Sequence, residues 1–471
     1  MMNETYYILK QTISQGNSNQ LEVKNIFVLK KTYKFAFTKS KKDDILITLK
    51  LKGLFAFMIK KPFSDITEAF GKFTLLYGES TKAQEKRYVD AFDTFKSYYG
   101  FESAYVASSS GRVEVCGNHT DHNGGKVVSC AISLDTLAMF MPTDDDTISI
   151  KSEGYDDIIV DINGAETEKK GTSSALVRGV VVALKNKGYK VGGFKAYVTS
   201  NVVGGAGISS SASFEVLIAE IENFIYNDGV ISQAEKAVFA QFAENEYFGK
   251  PCGLLDQTAI AFGGLKKLDF ADPNKKIKVD DINNDLKDYT LILVNTGGSH
   301  ANLTDEYAAI PKEMFEVANA MGKNRLVEIS ENDFYSMLPS VSKNLSDRAI
   351  TRAVHFYDEN KRVDLLDKAL CDNDYQEFLN CIKESGISSL WKLQNCYVAG
   401  SNEQPIPKAL AIASKYLGNG ANRVHGGGFA GTILNIVKNE DKDNFISNMQ
   451  KYFDAKDIIP LKVRAVGTIV L

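Results

Sequence analysis

Alternating apolar and polar positions predict a half-buried β-strand over residues 194–199. Phe194, Ala196 and Val198 lie on one face of this segment, and the residues between them carry polar groups. A turn rich in glycine and serine follows. Beyond it, apolar residues recur at the spacing of one helical face, namely Phe214, Leu217, Ile218, Ile221, Phe224 and Ile225. The pattern therefore predicts a strand, a tight turn and an amphipathic helix in succession.

Further segments continue this mixed α/β pattern. Ser232 and Glu235 have the spacing of a capping box, which predicts a helix that begins at Ser232. Residues 272–288 are polar and predict a linker or an exposed loop. The apolar run 291–294 predicts a buried strand that restarts the fold. We therefore expect an N-terminal domain over 58–288 and a C-terminal domain over 289–471.

Composition excludes several functional classes. The chain has 471 residues, 44% of them hydrophobic and 24% charged, which is typical of a folded protein of two domains. A net charge of −4 gives no basic field to attract nucleic acid. Six scattered cysteines without a CxxC pair argue against a zinc ribbon or a disulfide framework and favour a reducing cytoplasm. No apolar run reaches the ~20 residues that span a bilayer, so we expect no membrane association.

The start of the chain differs in composition from the rest. Residues 1–61 contain twelve Lys and four Asp or Glu, without a clear helical or strand period. Met58 then begins a more ordinary sequence. We expect residues 1–57 to be a basic extension outside the fold, such as translated sequence ahead of the natural start. The alternative is a basic arm that binds an acidic partner.

The strongest candidate site is segment 203–213 (VGGAGISSSAS), between the predicted strand and helix. Glycine lets the backbone turn and approach a ligand closely, and a helix N-terminus offers unpaired N–H groups. Together with three serine hydroxyls, these features predict a phosphate-binding loop. It is not a Walker A loop, because no Gly-Lys-Ser/Thr follows. The alternative is an ordinary strand–helix turn with serine caps.

Segment 111–125 (GRVEVCGNHTDHNGG) places a short strand before a loop of polar side chains between glycines. Such a loop suits hydrogen bonding to a polyhydroxylated ligand. His119, Asp121 and His122 also have the chemistry of metal ligands, although no second cluster of such residues accompanies them. A sugar site and a metal site are both compatible with these residues.

Two acidic residues are predicted to lie among apolar neighbours. Asp256 follows the turn 249–253 (GKPCG), where a carboxylate is either a general base or a structural cap. Glu244 shares a helical face with apolar residues, where a carboxylate needs a partner such as a cation. Each of these residues is therefore a candidate for a functional role.

A fourth segment, 426–431 (GGGFAG), matches G-x-G-x-x-G, but the residues after it predict a strand where a dinucleotide fold needs a helix. In this order, the four segments resemble the signature motifs of the GHMP small-molecule kinases, and among them the galactokinases. The resemblance covers roughly residues 75–471. It implies an α/β (α+β) fold of two lobes, with an N-terminal mixed-sheet domain, a C-terminal ferredoxin-like domain and the active site between them.

The resemblance also implies a role for each matching residue. Arg112 and Asp256 would be catalytic, and Asp256 would act on the anomeric hydroxyl of a sugar. Ser211 and Glu244 would hold Mg²⁺ on the phosphates of ATP. The phosphate loop would consist of Gly204, Gly205, Ala206, Gly207, Ser209, Ser210 and Ser211. The sugar site would consist of Asn118, His119, Asp121, Gly253 and Tyr307.

The implied reaction is phosphorylation of a monosaccharide, D-galactose above others, at its anomeric hydroxyl by a cytoplasmic monomer that uses ATP. The signature departs from the family pattern at Ser110, Asn118 and His122, where proline, glutamate and tyrosine are usual. Asn118 replaces a charged acceptor with a neutral group, so N-acetylgalactosamine and L-arabinose are alternative substrates. A non-catalytic sugar and ATP sensor is a further alternative, although the intact pair Ser211 and Ala212 favours an enzyme.

Overall fold

The computed structural model describes residues 61–164, 168–205, 207–250, 252–273, 276–298 and 303–471. The expected extension over 1–57 lies outside these residues, and so does Ala206 of the predicted phosphate loop. All the described residues belong to one unit of the chain.

The strands formed by the described residues are β1 (Tyr105–Cys116), β2 (Lys126–Pro142), β3 (Thr147–Ser152), β4 (Ile158–Asp161), β5 (Phe194–Ser200), β6 (Leu265–Asp269), β7 (Lys278–Asp281), β8 (Tyr289–Asn295), β9 (Ala421–His425), β10 (Thr432–Lys438), β11 (Ile458–Leu461) and β12 (Ile469–Val470). The α-helices are α1 (Phe73–Tyr77), α2 (Lys82–Tyr99), α3 (Ser173–Asn186), α4 (Ser210–Tyr226), α5 (Gln233–Phe242), α6 (Leu255–Phe262), α7 (Thr304–Ala320), α8 (Glu331–Val341), α9 (Asp347–Cys371), α10 (Tyr375–Ser388), α11 (Pro405–Ser414) and α12 (Lys442–Met449). A π-helical turn, Ala243–Phe248, continues α5.

The long antiparallel pair of β1 and β2 forms the centre of an eight-stranded sheet. Its order is β12–β1–β2–β5–β3–β4, and β6 and β7 extend from the first part of β2. Because β3 and β5 run parallel while β1 pairs antiparallel with β2, the sheet is mixed. Helices α1 and α2 pack on one face, and α3, α4 and α5 pack on the other. Coverage of both faces explains why β1 and β2 are buried almost throughout.

A second, four-stranded sheet has the order β11–β8–β10–β9, with every neighbouring pair antiparallel. In chain order, β8 is followed by helices α7 to α11, then by β9 and β10, then by α12 and β11. This connectivity and strand order are those of a ferredoxin-like sheet. The predicted two-lobed α/β fold, with a mixed sheet followed by a ferredoxin-like one, is therefore confirmed.

The end of the chain does not stay with the second sheet. β12 pairs with β1, with Ala107 opposite Val470. Just before it, the fully buried Arg464 donates to the backbone carbonyl of Ser108 over 3.1 Å and lies 3.6 Å from Asp135. A buried guanidinium needs such partners, and they hold the last residues against the first sheet. We therefore propose the domain division at 288/289 with the terminal segment reassigned to the N-terminal domain.

Several predicted elements are confirmed. β5 covers the alternating segment at 194–199, α4 covers the amphipathic pattern after the glycine-rich turn, and β8 contains the apolar run 291–294. α5 begins after Ser232, and both hydrogen bonds of the capping box with Glu235 are formed. Among the described helices, none combines the length and the apolar character needed to cross a bilayer.

The prediction of a loop over 272–288 is wrong at β7. Among the strands of the described residues, β7 pairs only with β6, and it lies at the edge of the sheet, where its side chains are exposed or half-buried. An edge strand with two exposed sides buries no regular face. It therefore leaves no apolar period in the sequence.

Candidate active site

The centre of the site is an ion pair between Arg112 on β1 and Asp256 in the first turn of α6. The Arg112 Nε donates to Asp256 Oδ1, and Nη2 donates to Oδ2, each over 2.7 Å. The hydroxyl of Ser209 also donates to Asp256 Oδ2. Burial raises the pKa of Asp256, but the charge of Arg112 and the hydrogen bonds from Ser209 and Arg112 hold the pKa below its ordinary value. The carboxylate is therefore ionised at neutral pH and fixed in orientation.

The same arginine joins this pair to the glycine- and serine-rich loop. Its Nη1 donates to the carbonyl oxygen of Gly207 over 2.5 Å. Gly205 and Gly207 have φ of 81° and 71°, the left-handed region that favours glycine. A side chain at Gly207 would also lie 3.0 Å from Thr432 Oγ1 on β10 of the second sheet. The loop thus lies where the two sheets meet.

The loop leads directly into the N-terminus of α4. Ser209 is the N-cap residue, but it has left-handed angles (φ 62°, ψ 62°) and its side chain caps no N–H group. Its hydroxyl is instead used by Asp256. The N–H groups of the first turn therefore remain available, together with the positive end of the helix dipole, to an anionic ligand.

A second carboxylate cluster lies behind the loop. Glu244, on the π-helical turn, is buried, and its Oε1 accepts hydrogen bonds from Ser211 Oγ at 2.9 Å and from Lys250 Nζ at 3.0 Å. Its Oε2 accepts one from Gln257 Nε2 at 2.9 Å. Glu215, one helical turn after Ser211, is fully buried, and neither of its carboxylate oxygens meets hydrogen-bond geometry with a group in the described part of the chain. Burial and then the charge of Glu244 raise its pKa well above the ordinary value.

This cluster fits a hard cation beside a phosphate chain. Ser211 and Glu244 present oxygen donors within 2.9 Å of each other at the start of α4, and oxygen donors are those that Mg²⁺ prefers. The structure brings Ser211 and Glu244 together, and their role as a metal pair, which the family resemblance implies, stays a prediction.

The loop after β1 is held by residues from the second half of the chain. The backbone N–H groups of Gly117 and Asn118 donate to Glu359 Oε1 at 3.0 and 3.3 Å, and the carbonyl oxygen of Asn118 accepts from His355 Nε2 at 2.9 Å. Glu359 and His355 both lie on α9, one helical turn apart. Burial lowers the pKa of His355 to about 4, so the ring is neutral at neutral pH. The candidate sugar loop therefore has a fixed backbone.

The side chains expected to bind a sugar do not all face one space. His119 has a left-handed φ of 56°, and its Nε2 lies 3.1 Å from the carbonyl oxygen of Gly427. Tyr307, on α7, donates its hydroxyl to the carbonyl oxygen of Gly428 over 2.8 Å. Both therefore contact the glycine-rich turn 426–431. Asn118 is fully buried, and its side chain is hydrogen-bonded to Glu114, Gly426 and Asn395.

Asp121 and Gly253 are in direct contact. A Cβ atom at Gly253 would lie 2.0 Å from Asp121 Oδ2, so a larger residue there would displace the Asp121 carboxylate. Burial, followed by the negative charges of Glu114 and Asp256, raises the pKa of Asp121 to about 6. Because Gly253 lies three residues before Asp256, its contact with Asp121 brings the candidate sugar loop close to the Arg112–Asp256 pair.

The alternative metal site at the sugar loop has no support from the geometry. The rings of His119 and His122 have centroids 6.2 Å apart, and His122 Nδ1 accepts from Asn123 Nδ2 at 2.9 Å. In the described part of the chain, no three His, Cys, Asp or Glu side chains are grouped to hold a metal ion.

Some residues of the site escaped the sequence analysis. Glu215 is recognisable in retrospect, because a spacing of four residues puts it on the same helical face as Ser211. No local pattern in the sequence indicated Glu114, Arg423 or Glu359. Each of these residues is positioned by a contact with a residue more than 200 positions away along the chain.

A glycine- and serine-rich turn at a helix N-terminus, beside an arginine–aspartate pair where two such sheets meet, is the arrangement expected of a small-molecule kinase of the GHMP type. Residues 175–264 match the family model for the GHMP kinases N-terminal domain, and residues 93–142 match that for the galactokinase galactose-binding signature. The galactokinase of Clostridium tetani is 31% identical over 358 residues, which are 74% of this chain and 88% of that protein. The galactokinase of Limosilactobacillus reuteri is 30% identical over 364 residues, with 74% and 90% covered. The chain belongs to the galactokinase family.

Solved structures share the fold. The galactokinase of Lactococcus lactis, crystallised with galactose, superposes with a TM-score of 0.70 at 23% identity, covering 81% of this chain and 98% of that one. The mevalonate kinase of Methanococcus jannaschii superposes with a TM-score of 0.56 at 17% identity, covering 77% and 98%.

The raised pKa of Asp121 predicts a cost in stability. Its folded-state pKa of about 6 exceeds the ordinary value of 3.8, so the folded chain binds this proton more tightly and loses stability as the pH rises from 4 to 6. We expect Asp121→Asn to raise the free energy of unfolding at pH 7.5 by on the order of 1–3 kcal/mol. The gain should shrink as the pH falls through 6 and vanish near pH 4 in urea titrations.

The matched control is Asp93→Asn, which removes an exposed aspartate from α2 and should leave the free energy of unfolding almost unchanged. A gain for Asp121→Asn that is the same at every pH, or absent at pH 7.5, would contradict the assignment.

Proposed function

We propose that the protein transfers the γ-phosphoryl group of ATP to the anomeric hydroxyl of D-galactose, giving α-D-galactose 1-phosphate and ADP. The Arg112–Asp256 pair beside the loop at 204–211 is the observation that carries this proposal. It combines a proton acceptor and a fixed cation next to N–H groups suited to phosphates. The similar galactokinases and the Lactococcus structure with bound galactose support the choice of sugar.

In this reaction, the C1 oxygen of the sugar bonds to the γ-phosphorus while the bond from that phosphorus to the bridging oxygen of ADP breaks. Asp256 accepts the hydroxyl proton. Because its pKa is low, Asp256 is a weak base, and the proton moves late, after bonding to phosphorus has made the hydroxyl more acidic. Arg112 both orients Asp256 and offsets the charge on the transferred group. The hydroxyl of Ser209 donates a hydrogen bond to Asp256 in this structure, and the sugar hydroxyl can take the place of the Ser209 hydroxyl.

Ser211 and Glu244 would hold Mg²⁺, which neutralises charge on the phosphates when it is bound. Lys250 pairs with Glu244 while its side chain is 64% exposed, so it can move aside at small cost. Gly204, Gly205, Gly207 and Ser210 would surround the phosphates, as the resemblance implies, together with Ala206.

We further propose a monomeric cytoplasmic enzyme. The six cysteines are all free thiols, which suits a reducing compartment.

An ADP-release assay with the purified chain and MgATP tests the substrate. We expect turnover with D-galactose to exceed turnover with N-acetylgalactosamine and L-arabinose. Release of ADP that is faster with one of the other sugars would change the substrate. Sugar binding without any ADP release would instead make the protein a sensor.

Asp256→Asn tests the proton acceptor. The amide keeps the size of the side chain but cannot take the proton, so we expect kcat to fall by roughly 10²- to 10⁴-fold. Calorimetric titration should show ATP and galactose affinities within a few-fold of the original. The control is Asp281→Asn, an exposed residue of β7, which should keep full activity. A nearly normal kcat for Asp256→Asn would remove this carboxylate from the mechanism.

Glu244→Gln tests the cation pair. The substitution removes one charged donor, so the Mg²⁺ concentration for half-maximal activity should rise by about tenfold or more. The control is Glu246→Gln, because Glu246 lies on the same turn with an exposed side chain. This variant should leave the Mg²⁺ concentration for half-maximal activity unchanged. Equal Mg²⁺ requirements in both variants would place the metal elsewhere.

A further inference from the structure

Asn118 cannot serve as a free acceptor for a sugar hydroxyl, because its side chain is fully buried and fully used. Its Nδ2 donates to Glu114 Oε1 at 2.9 Å and to the carbonyl oxygen of Gly426 at 2.8 Å. Its Oδ1 accepts from Asn395 Nδ2 at 2.8 Å. The residue therefore supports its neighbours, and Glu114 is the charged group that it contacts.

Glu114 lies on the same strand as the catalytic arginine and faces the same side. The pairing of β1 with β2 is regular from Arg112 to Glu114. Side chains two residues apart on a strand share one face, about 7 Å apart along the chain. Since Arg112 reaches Asp256 on this face, Glu114 lies beside the reaction centre and one step toward the sugar loop.

One oxygen of Glu114 is restrained and the other is open. Oε1 accepts hydrogen bonds from Asn118 Nδ2 and from Arg423 Nη2 at 3.1 Å. Arg423 is fully buried on β9 and also donates to the carbonyl oxygen of Val115 at 2.9 Å. Oε2 has no hydrogen-bond partner within the described part of the chain, yet solvent reaches it. A carboxylate that is otherwise almost enclosed thus presents one acceptor to the cleft.

The surroundings of Glu114 indicate what this acceptor faces. Among the neighbouring charges, that of Glu114 has the largest effect on the pKa of both Asp121 and His119. It raises the pKa of Asp121 together with burial, and it raises the pKa of His119 while burial lowers it. Both residues belong to the candidate sugar loop. Because Asp256 defines the anomeric end of the sugar, Glu114 lies toward the other end.

We propose that Glu114 is a specificity-determining residue, whose Oε2 accepts a hydrogen bond from a sugar hydroxyl remote from C1. This inference rests on the proposed function. Arg423 and Asn118 orient the carboxylate before the sugar binds, so the contact costs little ordering. A sugar without the matching hydroxyl leaves the carboxylate oxygen unpaired in the closed cleft, which is how a site of this kind discriminates.

The test compares Glu114→Gln with the original chain on D-galactose and on its 2-, 3-, 4- and 6-deoxy derivatives. For galactose, we expect kcat/KM to fall by about 10- to 100-fold, as for loss of a hydrogen bond to a charged group. For the one derivative that lacks the contacted hydroxyl, the original chain and the variant should differ by less than about threefold. The KM for ATP should not change. Glu102→Gln, an exposed glutamate ahead of β1, is the control for loss of one negative charge.

An equal loss on every sugar would show a structural role, and no loss on galactose would show no contact. Either result overturns the inference. If Glu114→Gln does not fold, the same comparison with Glu114→Asp decides, because the shorter side chain keeps the charge beside Arg423 but withdraws the open oxygen. Failure of the original chain to phosphorylate galactose would instead refute the proposed function, so the two failures are distinguishable.

Discussion

The bidentate ion pair of Arg112 with Asp256 is the interaction on which the rest of the site depends. It joins three elements that are distant in sequence, the strand β1, the turn at 204–209 and the first turn of α6. The arginine side chain is only 9% exposed and the aspartate 30%, so neither charge can be left alone without a large penalty. The pair therefore fixes the relative position of a carboxylate and of the loop suited to phosphates before any ligand binds. Catalysis that relies on position and charge needs this arrangement in advance.

Polar contacts between the two sheets extend this arrangement to the sugar loop. Glu359 and His355 on α9 hold the backbone at Gly117 and Asn118. His425 at the end of β9 accepts from the backbone N–H of Glu114 through Nε2 at 3.2 Å, so its proton lies on Nδ1, toward Thr432. Burial lowers the pKa of His425 well below its ordinary value and keeps it neutral, which preserves this direction. These hydrogen bonds from the second half of the chain thus fix the shape of the first sheet on the side where the candidate site lies.

The sequence predicts the parts of this molecule that depend on neighbours along the chain. The alternation at Phe194, the capping box at Ser232 and the turn before α4 all form as expected, because periodicity and capping are local. The edge strand β7 and the return of β12 to β1 were missed, since the first buries no regular face and the second is held by the long-range partners of Arg464. In the site, the motifs located the loop, the ion pair and the Ser211–Glu244 pair. They could not show that Asn118 turns inward, because this depends on Asn395 and Gly426.

The two ends of the proposed sugar site follow one physical design. At each end, an arginine binds a carboxylate and fixes its direction, Arg112 with Asp256 at the anomeric end and Arg423 with Glu114 at the other. β1 carries Arg112 and Glu114 two residues apart. A single strand therefore sets the distance between the Arg112–Asp256 pair and the residue proposed to recognise the sugar. Asp121 lies between them without an arginine partner among the described residues, and its pKa rises to about 6 as a result of burial and of these two negative neighbours. The repulsion between like charges therefore acts on Asp121 in the middle, and hydrogen bonds from the hydroxyls of the proposed sugar to the three carboxylates would offset it. In the proposed complex, the repulsion between these carboxylates in the empty cleft would therefore favour binding of the sugar.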